Sequence, residues 1–192
     1  MSLDERRKAL EDEFFRTKDN ENIEKLRAEA SAREKLGSLR KVSGISDEKL
    51  LGKMIDLGIS EETLCAIRLV PMVAVAWADD ELHAKEREAI LKGAKAYGVE
   101  KDSVAYELLN GWLDFKPPAS LLDAWSEYIA TLKEHLSDEQ NEVIKTQIVG
   151  RARDIAQSAG GFLGLATISE PEKKIIEQFE AVLYTPDNLS PL

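Results

Sequence analysis

Cysteine and histidine are scarce in this chain of 192 residues. The single cysteine, Cys65, excludes an intrachain disulfide and is compatible with a reducing compartment. With His83 and His135 as the two histidines, the sequence offers no convincing Ser-His-Asp or Cys-His constellation for nucleophilic catalysis. We therefore predict that the protein is not an enzyme, and we expect no organic cofactor.

A long apolar run is also missing. The longest one, around LCAIRLVPMVAVAWA, contains Arg68 and Pro71 and falls short of the roughly 20 residues that a membrane helix needs. The first residues, MSLDERRKALEDEFF, alternate in charge and lack the apolar core of a signal peptide. We expect a soluble, cytoplasmic protein.

Basic residues are fewer than acidic ones, and the imbalance is unevenly distributed along the chain. The net charge is −10, yet residues 1–42 hold 11 Lys and Arg against 10 Asp and Glu. The excess of acidic residues therefore belongs to residues 43–192, whose surface is poorly suited to phosphate backbones. We predict no nucleic-acid binding, and we expect cations or basic protein surfaces as partners.

No segment has the alternating pattern of a β-strand, and helix formers and helix caps recur along the chain. We predict an all-α fold, a single helical bundle of about seven helices with an N-terminal helical arm. Ser60 is predicted to cap a helix through ETLCAIRLVPMVAVAWA that is kinked at Pro71. The other predicted helix starts and ends are at Ser46, Gly58, Gly98, Ser120, Ser137 and Ser169.

The N-terminal arm is predicted from residues 3–36, which contain no Gly or Pro and few apolar residues. Such a helix cannot bury itself, so it either docks weakly or moves independently of the body. GSLRKVSG, residues 37–44, has the composition of a linker. We predict an arm and linker at 1–42 and a helical domain at 43–192, with homo-oligomerisation through the arm left open.

An acidic loop interrupts the stretch AVAWADDELHAKEREAI, residues 74–90. The carboxylates of Asp79, Asp80 and Glu86 offer the oxygen ligands that Ca²⁺ and Mg²⁺ prefer, although the spacing is not that of an EF-hand. If His83 turned inward, the mixed ligand set would suit a transition metal. The competing interpretation is a solvated acidic turn between two helices, with His83 in water.

A fainter copy of this loop occurs later in the chain. When ADDELHAKEREAI (78–90) is laid over GLATISEPEKKII (164–176), Leu82 matches Ile168 and Glu86 matches Glu172. Both glutamates are placed to accept a hydrogen bond from an unpaired amide at the helix start. We predict two helix-loop-helix halves. The three acidic residues 79–81 have no counterpart in the second copy, so capping does not require them.

The stretch WADDELHAKEREAI, with its second copy, resembles the TerB-like domain of tellurite-resistance and stress-response systems, over roughly residues 48–184. The resemblance implies an all-helical bundle, a metal site at Asp79 and Glu86, and a non-enzymatic module in metal-linked, membrane-associated complexes. Protein partners and peripheral association with a membrane complex follow as expectations. Asp80 stands where the family usually has glycine, which predicts a positive-φ turn at an unfavourable residue.

A second class of function remains open from the sequence. The chain is also consistent with a structural helical scaffold, or a partner-binding protein, whose acidic loop binds no metal.

Overall fold

The computed structural model of this chain describes residues 3–158 and 168–184. Regular structure in these ranges is helical and contains no β-strand, as the predicted all-α class requires. No helix in the same ranges is both long enough and apolar enough to cross a membrane. The α-helices are α1 (Leu3–Ser43), α2 (Glu48–Asp56), α3 (Val70–Ala76), α4 (Ala84–Ala94), α5 (Val104–Asp114), α6 (Ser120–Lys133), α7 (Asp138–Ser158) and α8 (Glu170–Tyr184).

The short helix α3 lies at the centre of the fold. Its sequence VPMVAVA is apolar throughout, and six of its seven residues are buried. It packs against α4, α6, α7 and α8, while α7 also packs along α8. A helix that is apolar on all sides is stable only when neighbours cover every face. The core therefore surrounds α3, and the loop that follows α3 starts inside the bundle.

The predicted kinked helix after Ser60 is not formed, and this prediction was wrong. Leu64–Leu69 is a 3-10 helix, and α3 begins only at Val70. Pro71 lies in the first turn of α3, where its missing N–H has no intrahelical partner to lose. Before the 3-10 helix, the Thr63 hydroxyl accepts the Ser60 N–H at 2.7 Å and donates to the Gly58 carbonyl at 2.8 Å.

Helix α1 is longer than predicted. It runs for 41 residues through Gly37, so the predicted linker at 37–44 is helical until Gly44, whose φ of 71° ends the helix. Leu39 is completely buried, whereas residues 21–35 are exposed. The end of α1 is therefore part of the core, and the predicted division at residues 42 and 43 stays a prediction.

Helix caps follow the sequence closely elsewhere. The predicted Ser137 cap is confirmed, because the Ser137 N–H donates to Gln140 Oε1 at 2.9 Å. Asp47, rather than the predicted Ser46, caps α2 by accepting the Lys49 N–H at 2.8 Å. A second 3-10 helix, Lys95–Tyr97, extends α4 to the predicted stop at Gly98. The sequence also predicts a break at Gly160 and Gly161 and an irregular tail at 185–192, and both lie outside the described residues.

Candidate functional site

The acidic loop joins α3 to α4 and occupies residues 77–83. Asp80 has a φ of 67°, which is the left-handed conformation predicted for this position. The Asp79 carboxylate accepts the N–H of Glu81 at 3.3 Å, which holds the turn locally. Asp79, Asp80 and Glu81 are all exposed.

Asp80 is directed toward the connection between α5 and α6. Its carboxylate forms an ion pair with Lys116, whose ammonium group also donates to the Trp77 carbonyl at 3.0 Å. The Trp77 indole N–H donates in turn to the Trp112 carbonyl at 2.9 Å. The side chains of Trp77 and Lys116 therefore connect the start of the loop to the end of α5 and to the residues just after it.

Glu86 lies in the first turn of α4 and is only 2 % exposed. Its carboxylate accepts the His83 backbone N–H at 3.0 Å, as the sequence predicted for a capping glutamate. Burial removes water from the charged form and raises the pKa of Glu86 from 4.5 to about 7, even though the His83 hydrogen bond opposes the shift. This buried carboxyl group therefore titrates near neutral pH.

Glu172 is the matching residue of α8, and it is 7 % exposed. Its carboxylate accepts the Ser169 N–H at 2.5 Å, and its own N–H donates to the Ser169 hydroxyl at 3.4 Å. The negative charges of Glu172 and Asp79 both raise the pKa of Glu86 further. Two carboxylates therefore act on Glu86, and one of them, Glu172, is also buried.

Arg87, one of the two basic residues that flank Glu86 in sequence, interacts elsewhere. Arg87 forms an ion pair with Asp114 at 2.9 Å and a hydrogen bond with Asn110 at 3.0 Å, both on α5. His83 is exposed, and its charge lowers the pKa of Glu86. The charge of the exposed His83, rather than that of Arg87, therefore opposes the repulsion at Glu86.

The structure brings two of the three predicted ligands into electrostatic contact. Asp79 and Glu86 are coupled, whereas Asp80 is paired with Lys116. Among the side chains that the structure describes, those of residues 18, 21–158 and 168–183, no three His, Cys, Asp or Glu are grouped so that they could hold an ion together. The Asp79–Glu86 pair fits a cation such as Mg²⁺, which is often bound by one or two carboxylates and several waters.

Two residues of this site were not predicted from the sequence. The proximity of Glu172 to Glu86 had a signal, because the internal repeat aligned these residues, but we assigned Glu172 to capping alone and Glu86 to capping and to the metal site. The ion pair that Lys116 forms with Asp80 had no signal in the sequence, since FKPP indicates only a loop. Comparison of the chain with protein-family models, curated proteins and solved structures found no match, and the TerB-like resemblance stays a prediction.

Proposed function

We propose that this chain is a non-enzymatic, TerB-like helical module that binds a divalent cation at Asp79 and Glu86 and works with a protein partner. A stress-response or tellurite-resistance type of system, with peripheral association to a membrane complex, is the setting that the sequence resemblance suggests. The observation that carries the cation proposal is the buried carboxylate of Glu86, on which Glu172 and Asp79 both act as like charges.

Crowded carboxylates favour cation binding for an electrostatic reason. Ionised Glu86 is destabilised by burial and by its two acidic neighbours. A divalent cation would remove the repulsion and replace part of the lost hydration. Asp79 is exposed, so a cation can approach from solvent and keep several water ligands.

The proposal includes two related helix-loop-helix halves, α3 with α4 and α7 with α8. Support comes from the equivalent caps, since Glu86 and Glu172 each accept the amide of the residue three positions earlier. Further support comes from packing, because α3 contacts both α7 and α8, and α4 contacts α7. In this arrangement the charge of Glu172, the capping glutamate of the second half, raises the pKa of Glu86 in the first.

Ca²⁺ and Mg²⁺ are the first candidates, because both prefer carboxylate oxygens. A transition metal becomes the better candidate if the His83 ring joins the ligands. His83 is exposed and lies three residues before Glu86.

The second candidate function is a partner-binding or structural scaffold without a metal. The ion pair between Asp80 and Lys116 favours it, because this pair neutralises part of the loop charge without any cation. Both candidates describe a non-enzymatic protein.

Calorimetric titration and thermal melting at pH 8 distinguish the two candidates. At that pH Glu86 is ionised, because its pKa is about 7. We expect one of Ca²⁺, Mg²⁺, Mn²⁺ or Zn²⁺ to stabilise the folded chain, by about 2.7 kcal/mol at 100 times its dissociation constant. Asp79→Asn combined with Glu86→Gln should abolish the cation-dependent shift in melting temperature.

The matched control combines Glu81→Gln with Glu88→Gln. These carboxylates are exposed in the same stretch, and the variant loses the same formal charge. It should retain the cation-dependent shift. If all four cations shift the wild type and the Asp79/Glu86 variant equally, the loop is a solvated acidic turn and the scaffold function is correct.

A further inference from the structure

We propose that the cavity between α3 and α6 is a docking site for one aromatic or large aliphatic side chain of a partner peptide in which Lys or Arg flank that side chain. The site lies beside the acidic loop, and its walls contain neither of the proposed cation ligands. The inference specifies which side chains the protein partner of the proposed function presents, and it does not require a bound cation.

The cavity is apolar and has the size of a single side chain. Its volume is about 180 Å³, and its walls include Val70, Ala74, Trp77, Leu121, Leu122 and Ile175. Small-molecule sites start at about 300 Å³, whereas an apolar cavity of about 150 Å³ holds one benzene. The volume therefore suits a phenyl or isobutyl group and excludes a whole nucleotide or flavin.

An exposed aromatic residue directly precedes the cavity wall in sequence. Pro117 and Pro118 form part of its rim, and Phe115, two residues before Pro117, is 79 % exposed. A large exposed aromatic residue beside an apolar cavity is typical of surfaces that bind other proteins, in which a few buried anchors supply most of the binding energy. A partner segment that fills the cavity can cover Phe115 as well.

Carboxylates predominate on both sides of this surface. On one side, Ala78 of the cavity wall leads directly into Asp79, Asp80 and Glu81. On the other, Pro118 also lines a shallow groove whose charged residues are Lys53, Asp56, Asp123 and Glu127.

Two of the ammonium groups near the cavity are already engaged. Lys116 pairs with Asp80, and Lys53 pairs with Glu127 at 2.6 Å. Acidic groups outnumber basic ones among the described residues of this surface, so its field repels fatty acids, phosphates and acidic peptides. It attracts Lys and Arg, which selects an apolar side chain with basic neighbours as the occupant.

Fluorescence anisotropy with three labelled heptapeptides tests the proposal. The probe is Gly-Lys-Arg-Phe-Lys-Arg-Gly, one control replaces its Phe with Ser, and the other replaces each Lys or Arg with Glu or Asp. Measurements are made on the full chain in EDTA, so that loss of a cation site does not affect them. We expect the probe to bind at least ten-fold more tightly than either control, and less tightly as NaCl rises.

Two variants locate the binding. Ala74→Phe should fill the cavity and weaken probe binding at least ten-fold. Asp56→Lys with Asp123→Lys reverses two exposed charges on the shallow groove, should weaken binding of the probe, and tests the surface even if Ala74→Phe fails to fold. The charge-matched control, Glu24→Lys with Glu29→Lys on the exposed part of α1, should retain most of the affinity.

Three results would overturn the inference. The first is equal affinity for the Phe and Ser peptides, or tighter binding of the acidic peptide. The second is binding that neither the Ala74 variant nor the Asp56/Asp123 variant weakens. The third is a dimer in analytical ultracentrifugation that Ala74→Phe dissociates, because a second copy of the chain would then be the occupant.

Discussion

At the scale of single residues, Glu86 does two jobs that conflict. As a capping residue it stabilises α4 by accepting the His83 N–H. As a buried carboxylate near Glu172 and Asp79, it opposes folding once it ionises. Solvent exposure would remove the second effect, as it does for the many capping glutamates found on protein surfaces. Burial at this position therefore makes folding sensitive to protons and to cations.

The first prediction concerns the pH dependence of Glu86→Gln. Because the pKa of Glu86 is raised from 4.5 to about 7, the folded chain binds a proton more tightly than the unfolded chain. The stability that this protonation of Glu86 contributes is complete below pH 4.5. It is lost as the pH rises through 7, by on the order of 3 kcal/mol. Gln keeps an oxygen acceptor for the His83 N–H and does not ionise, so this loss should disappear.

Urea unfolding at pH 5 and pH 8 measures the effect as a difference between variant and wild type. Relative to wild type, Glu86→Gln should be more stable at pH 8 than at pH 5 by on the order of 3 kcal/mol. Glu88→Gln, an exposed position on the same helix, should show no such change. A difference for Glu86→Gln that is the same at both pH values would contradict the electrostatic account.

At the scale of elements, α3 is short because the segment before it turns as a 3-10 helix. Thr63 is buried and bonds to both Ser60 and Gly58, so the chain is held before the 3-10 helix starts. Pro71 then lies where an α-helix begins. The same residue can thus start a helix or bend one, and the difference depends on which preceding residues are helical.

The second prediction uses Pro71→Ala to separate these two roles. At a helix start, proline stabilises by restricting the unfolded chain, and its ring is buried here. Replacement by Ala should therefore lower the free energy of unfolding by about 1–2 kcal/mol. Urea denaturation measures this, and a rise in stability would indicate that Pro71 strains the interior of a longer helix.

At the scale of the whole molecule, one core joins the elements. Leu39 from α1 belongs to the same cluster of buried residues as Met72 from α3 and Phe179 from α8. Trp125 contacts Phe179 edge to face, with ring centres 5.2 Å apart, and so connects α6 to α8. Elements distant in sequence therefore depend on a shared interior, and we expect them to unfold together.

The third prediction concerns the extent of α1 that this interior needs. Deleting residues 1–34 removes the part of α1 in which residues 18 and 21–34 are exposed, and it should leave one cooperative unfolding transition. Leu39→Ala, in the intact chain, should cost about 2–5 kcal/mol because it opens a cavity in the core. Circular dichroism and tryptophan fluorescence should report coincident transitions for both proteins. Loss of cooperativity in the truncated chain would show that the exposed part of α1 is required for folding.

How far the sequence predicts this molecule depends on the range of the interactions. The all-α class and caps such as Ser137 and Ser169 were predictable, because they rest on contacts three or four residues apart. The 3-10 helix before Val70 and the burial of Leu39 depend on distant packing, so local propensity misassigned both.

The candidate site divides in the same way. The positive φ of Asp80 was predicted from the family resemblance, and the capping by Glu86 followed from local pattern. The ion pair between Asp80 and Lys116 spans 36 positions in the chain, and no local pattern indicates it. The coupling of Glu86 to Glu172 also joins distant segments, and only the weak internal repeat pointed toward it.

The indole of Trp77 gives the molecule an internal optical reporter. It lines the cavity, is half-buried, and begins the loop that carries Asp79 and Asp80. Trp112 and Trp125 are 7 % and 0 % exposed, so their emission should respond little to events at the surface. A change in the emission of the unlabelled chain on addition of a cation or a peptide would therefore arise chiefly at Trp77. Loss of that change in Trp77→Phe would assign it to this residue.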